Sequence, residues 1–123
     1  MIRGVVNDRG EATVRLRVRG PDGFELGVDM AVDTGFNASL TLSPEEVAVL
    51  GLVYESSGEA ALADGSVRHF DIYEAELEWG QTWRPVSVSA VGDVALLGMR
   101  LLAGHELRIE VVPGGIVEIT PLF

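Results

Sequence analysis

The feature that most constrains this chain is an alternation with a period of two. Residues 13–19 read Thr-Val-Arg-Leu-Arg-Val-Arg, with Val14, Leu16 and Val18 in one phase and Arg15, Arg17 and Arg19 in the other. Apolar side chains at every second position share a face only in an extended strand, so this segment predicts an antiparallel strand with one dry and one wet side. A solvated sheet face explains the three arginines more simply than an anion site does. Turn signals recur at short intervals: Asn7-Asp8-Arg9-Gly10, Gly20-Pro21-Asp22-Gly23, Ala63-Asp64-Gly65-Ser66, Gly80-Gln81 and Val112-Pro113-Gly114-Gly115. Between them lie Val-, Ile- and aromatic-rich runs such as Val67–Trp79 and Trp83–Val91. Strands punctuated in this way predict a small closed or sandwiched all-β domain.

Two short helices interrupt the strands. Ser43-Pro44-Glu45-Glu46 combines an N-cap hydroxyl, a proline at the first helical position and a glutamate three residues after the cap. That is a capping box, followed by Val47 and Leu50 and stopped at Gly51. A second helix, over Met99–Ala103, is bracketed by Gly98 and Gly104. No linker, repeat or low-complexity tract divides the chain, so residues 1–123 are expected to form one domain.

The charge balance excludes several functions. Nineteen carboxylates against nine basic residues, all Arg, give a formal net charge of −10. Such a surface repels phosphate backbones and anionic lipid heads, which argues against nucleic-acid and membrane partners. The absence of cysteine removes disulfides, thiolate zinc sites and a thiol nucleophile. The N-terminal stretch reaches a polar turn by Asn7, short of a signal-peptide apolar region. The stretch from Val94 to Ala103 is broken by Gly98 and Arg100. A cytoplasmic protein is the expectation.

Chemistry concentrates at Asp33-Thr34-Gly35. Asp33 ends the apolar strand Val28–Val32 and precedes a second mostly apolar run, Phe36–Leu42. A carboxylate so placed is expected to be partly buried, the setting in which carboxylates do chemistry. Leu96-Leu97-Gly98 follows 63 residues after Asp33 and heads the short Leu-rich helix. Between the two lies a long hairpin with Ala63, Asp64, Gly65 and Ser66 at its tip.

With these residues in place, the chain resembles the retropepsin-like aspartic proteases, from about Phe24 to Ile119. More narrowly it is similar to bacterial members in which Phe follows Asp-Thr-Gly, as Phe36 does here. The resemblance implies a small closed acid-protease barrel with one or two short helices, acting as a homodimer. Peptide hydrolysis by carboxylates needs two of them, one to accept a proton from water and one to donate to the scissile carbonyl. With a single Asp-Thr-Gly, the second Asp33 comes from a two-fold partner. The resemblance implies Asp33 as catalytic, Thr34 and Gly35 as support for the active loop, and Phe36 and residues 63–66 as substrate-binding. Leu96, Leu97 and Gly98 would be structural neighbours. The hairpin, with strands Glu55 through Leu62 and Val67 through Tyr73 and a tight turn at Asp64-Gly65, would be a flap closing over an extended peptide. Apolar side chains would flank the cut. No metal and no cofactor is called for, because the nucleophile is water.

Where retroviral members carry Ala and an acidic residue after Asp-Thr-Gly, this chain has Phe36 and Asn37. Met99 stands where an Arg is common, with Arg100 one place later, so the ion pair that braces those dimers is not expected. The competing expectation is a non-catalytic or weakly active peptide-binding or dimerisation domain that keeps the fold; a third is an unrelated β-barrel binding module. His69 and His105 lack metal-ligand spacing, and Trp79 and Trp83 read as a cross-strand aromatic pair or core filler. Glu74, Glu76 and Glu78 read as a solvated face opposite Ala75, Leu77 and Trp79.

Overall fold

The computed structural model describes residues 1–61 and 63–123. Among these described residues, ten strands and two helices follow one another. The strands are β1 (Ile2–Val6), β2 (Ala12–Arg19), β3 (Glu25–Val32), β4 (Leu40–Leu42), β5 (Val53–Ala61), β6 (Val67–Trp79), β7 (Thr82–Ala90), β8 (Ala95–Leu97), β9 (His105–Ile109) and β10 (Ile116–Pro121). Helix α1 (Pro44–Leu50) lies between β4 and β5, and α2 (Met99–Leu102) between β8 and β9.

Six strands close on themselves in the order β6-β7-β4-β8-β3-β2, with β2 returning to β6 through Val18–Leu77 and Arg19–Glu76. The other end of β2 pairs with β1, which continues into β10 and β9. One strand thus serves the barrel at its end and a side sheet at its start. The barrel interior is filled as the alternation requires. Val14, Leu16 and Val18 are buried, and they join Met30, Leu40, Leu77, Val88 and Leu97 in one core. The closed all-β architecture with two short helices is the one the sequence predicts.

The opposite phase of the same strands forms an outer face of paired charge. Arg15 sits across from Asp29 at 3.1 Å, Arg17 bridges Glu25 and Glu78 at 2.7 Å each, and Arg19 meets Glu76 at 3.0 Å. The arginines are a solvated sheet face, neutralised strand by strand.

Of the two arrangements expected for the tryptophans, the cross-strand pair does not form and core filling holds for Trp79 alone. In the β6–β7 register Trp79 is opposite Thr82 and Trp83 opposite Glu78, so the two rings project from opposite faces. Trp79 packs against the core and donates its indole N–H to His105 Nε2 at 3.2 Å. Trp83 lies on the charged face under Arg19, whose guanidinium carbon is 4.1 Å from the ring centre.

Helix α1 begins where its capping box predicts. The Glu46 amide donates to Ser43 Oγ at 3.1 Å, and the Ser43 amide donates to Glu46 Oε1 at 2.9 Å. Val47 and Leu50 face the core and Gly51 ends the helix. No helix among the described residues is long and apolar enough to cross a membrane.

Candidate active site

Asp33 follows directly on β3, and β3 runs parallel to β8, pairing Met30, Ala31 and Val32 with Ala95, Leu96 and Leu97. The Asp33 amide extends this ladder by donating to the Leu97 carbonyl at 2.9 Å. Beyond it the chain turns sharply. The Phe36 amide donates to the Asp33 carbonyl at 3.1 Å, and the Gly35 amide donates to the Asp33 side chain at Oδ1, 2.9 Å away. A carboxyl oxygen held by a backbone N–H has its direction fixed. Asp33 is half-buried, as its place between two apolar runs predicts, while Thr34 and Gly35 are exposed. A Cβ on Gly35 would stand 3.3 Å from that Oδ1, so glycine leaves the carboxylate its room.

The returning loop is locked to the start of α2. The Gly98 amide donates to Ser39, the Met99 amide to Phe36 and the Arg100 amide to Ala38, at 2.8, 2.8 and 3.3 Å. The buried Thr41 hydroxyl accepts from the Leu96 amide at 2.8 Å, tying β4 to β8. Gly98 is the tightest point. A Cβ there would lie 2.1 Å from the Ala38 carbonyl oxygen and 2.6 Å from the Phe36 ring, contacts that no side chain permits. Leu96-Leu97-Gly98 and Asp33-Thr34-Gly35-Phe36 are therefore one interlocked unit.

A cavity of about 340 Å³ opens beside Asp33. Its walls come from Ala12, Ala31, Val32, Leu96, Ile109 and Val111, and besides Asp33 its one other charged lining residue among those described is Glu11. Of the residues singled out from the sequence, Asp33 and Leu96 face this cavity. Phe36 packs against Gly98, and Leu97 is buried in the barrel core. Glu11, Ile109 and Val111 are brought in by the fold alone. A slightly larger cavity, about 370 Å³, lies between the β2–β3 turn, the start of β5 and the middle of β6 and β7. It does not include Asp33, and Arg19 in its wall is already paired with Glu76.

The β5–β6 hairpin carries Ala63, Asp64, Gly65 and Ser66 at its exposed end, and none of the four lines the cavity at Asp33. The reversal is wider than a two-residue turn, since β5 ends at Ala61 and β6 begins at Val67. Leu62, expected to end the first strand, lies outside the described residues. Asp64 Oδ1 accepts from the Ser66 hydroxyl at 2.6 Å and the Ser66 amide at 2.9 Å, which holds the Asp64 carboxyl below its usual range. Gly65 has φ +86°, a conformation side-chain-bearing residues seldom adopt.

No protein-family model matches the chain, and no curated protein does. Among solved structures, the chain is similar to a retropepsin-like aspartic protease from Rickettsia conorii. The TM-score is 0.60 and the identity 19%, over 94% of this chain and 87% of that one. The likeness is one of fold.

Proposed function

We propose that the protein is an aspartic endopeptidase whose active site pairs Asp33 from two copies of the chain. The observation that carries this reading is the setting of Asp33. It stands at the end of a parallel strand pair, held by the Gly35 amide, half-buried and beside an open cavity, in a barrel of the aspartic-protease kind.

The chemistry follows from two carboxylates sharing one proton. The ionised Asp33 takes a proton from a water lying between the two as the water oxygen bonds to the scissile carbonyl carbon. The protonated Asp33 gives its proton to the carbonyl oxygen, leaving a neutral diol on that carbon. Collapse breaks the C–N bond as the protonated carboxyl delivers its proton to the departing amine and the ionised one takes a proton from a diol hydroxyl, so the pair again shares one proton. No covalent intermediate forms. One copy supplies one carboxylate, so a two-fold homodimer completes the set. In this reading the exposed Thr34 hydroxyl braces the partner's loop, and the β5–β6 hairpin closes over the extended peptide as an added strand.

Wild type and Asp33→Asn are to be incubated with a denatured protein and a peptide library between pH 4 and 7. Cleavage by wild type that is lost in the variant is the expected result. No cleavage by wild type, or equal cleavage by both, removes the catalytic reading and favours a binding domain that keeps the fold.

A further inference from the structure

The cavity beside Asp33 has a chemical character of its own. Its walls are aliphatic, and the two short side chains, Ala12 and Ala31, leave it depth. At about 340 Å³ it falls at the small end of the roughly 300–1,000 Å³ of ligand sites, suited to one long side chain and not to a whole cofactor. Glu11 enters it immediately before β2.

Glu11 is held there by Asn7. The Asn7 side-chain oxygen accepts from the Arg9 amide at 3.0 Å and the Glu11 amide at 2.9 Å, while its NH₂ donates to Glu11 Oε1 at 2.9 Å. The Asn7 amide also donates to the Glu11 carbonyl at 2.9 Å. One residue thus fixes both the turn and one oxygen of the carboxylate, leaving the second for a ligand. Neither Glu11 nor Asp33 takes part in an ion pair among the described residues, whereas Arg3, Arg15, Arg17, Arg19 and Arg108 are all paired with other carboxylates.

We infer that this cavity receives an arginine or lysine side chain of the substrate, and that Glu11 selects it. The inference rests on Asp33 as the catalytic carboxylate and adds a substrate class to it. A long basic side chain lays its methylenes along the aliphatic wall and brings its cation to the carboxylate. The chain's net charge of −10 draws basic peptides toward the site. It also narrows the expectation of apolar residues around the cut: one subsite takes a cation.

Peptides differing only by Lys or norleucine at one position test this on two readouts. In cleavage, wild type is expected to prefer Lys by about tenfold in kcat/KM. Glu11→Gln is expected to bring the two peptides within about twofold while norleucine cleavage persists, and Glu11→Lys to favour Glu at that position. Gln can still accept from Asn7, so the turn is expected to stand in the first variant. Binding of the same peptides to Asp33→Asn, with and without Glu11→Gln, gives an answer that needs no catalysis. There the Lys preference is expected with Glu11 present and absent with Gln. If wild type cleaves nothing, the endopeptidase reading fails while the binding ratio still decides the role of Glu11. A Lys preference that survives Glu11→Gln, one that vanishes in Asp33→Asn with Glu11 intact, or no binding of the Lys peptide overturns the inference.

Discussion

Two acidic regions of this molecule are treated in opposite ways. On the barrel wall, Asp29, Glu25, Glu78 and Glu76 each meet an arginine from β2. At the rim, Asp33 and Glu11 are held by neutral donors, the Gly35 amide and the Asn7 side chain, and meet no arginine among the described residues. A carboxylate oxygen that accepts from a neutral donor has its direction fixed without being paired to a cation. The wall's carboxylates are paired within the fold, and in the reading proposed above the rim's carboxylates meet the substrate.

If that division is right, mutations should separate cleanly. The largest effect belongs to Asp33→Asn, expected to lower peptide cleavage about a thousandfold or more while leaving the thermal midpoint near that of wild type. A variant that lost stability in step with activity would place Asp33 with the structural carboxylates. Gly98→Ala attacks the rim through its backbone. A methyl group 2.1 Å from the Ala38 carbonyl oxygen forces the active loop away from α2, and a loss of about 3 kcal/mol or more is expected in urea unfolding. Leu77→Ala, which empties a fully buried position where β6 meets β2, is expected to cost a comparable amount, about 2–5 kcal/mol.

The smallest effect is the most specific to the wall. The hydrogen bond from Arg17 holds the Glu78 carboxyl below its ordinary value of 4.5. The folded protein therefore binds that proton less readily than the unfolded chain. The stabilisation is present above 4.5 and disappears as the pH falls through the lowered folded-state value. Glu78→Gln should lower the thermal midpoint slightly at pH 7, and the difference from wild type should vanish in strong acid. A constant difference across the range would show that Glu78 acts through packing.

The barrel was legible because alternation is a local signal. Val14, Leu16 and Val18 declare their face without knowledge of any partner strand, and Ser43-Pro44-Glu45-Glu46 declares a helix start within four residues. The interlocked Asp33 and Gly98 loops could also be named, because each carries a motif. What brings Glu11 to Asp33 is the register of β2 against β3, in which Thr13 faces Ala31. No local pattern states that register, and Asn7-Asp8-Arg9-Gly10 read simply as a turn. Trp79 fills the core, one of the two expectations for the tryptophans, whereas their facing pair fails for a related reason. Their spacing around Gly80-Gln81 suggests a facing pair, but the turn pairs Trp79 with Thr82 and sends the rings to opposite faces.

One active site built from two Asp33 residues is the premise of the proposed chemistry. The direct measurement holds wild-type protein at a fixed concentration, adds Asp33→Asn protein in ninefold excess, allows subunits to exchange and follows peptide cleavage. Random pairing leaves only a fraction of wild-type subunits with a wild-type partner, so the rate is expected to fall to about one tenth. An unchanged rate would mean that a single copy of the chain carries out the reaction alone, and would contradict the shared site.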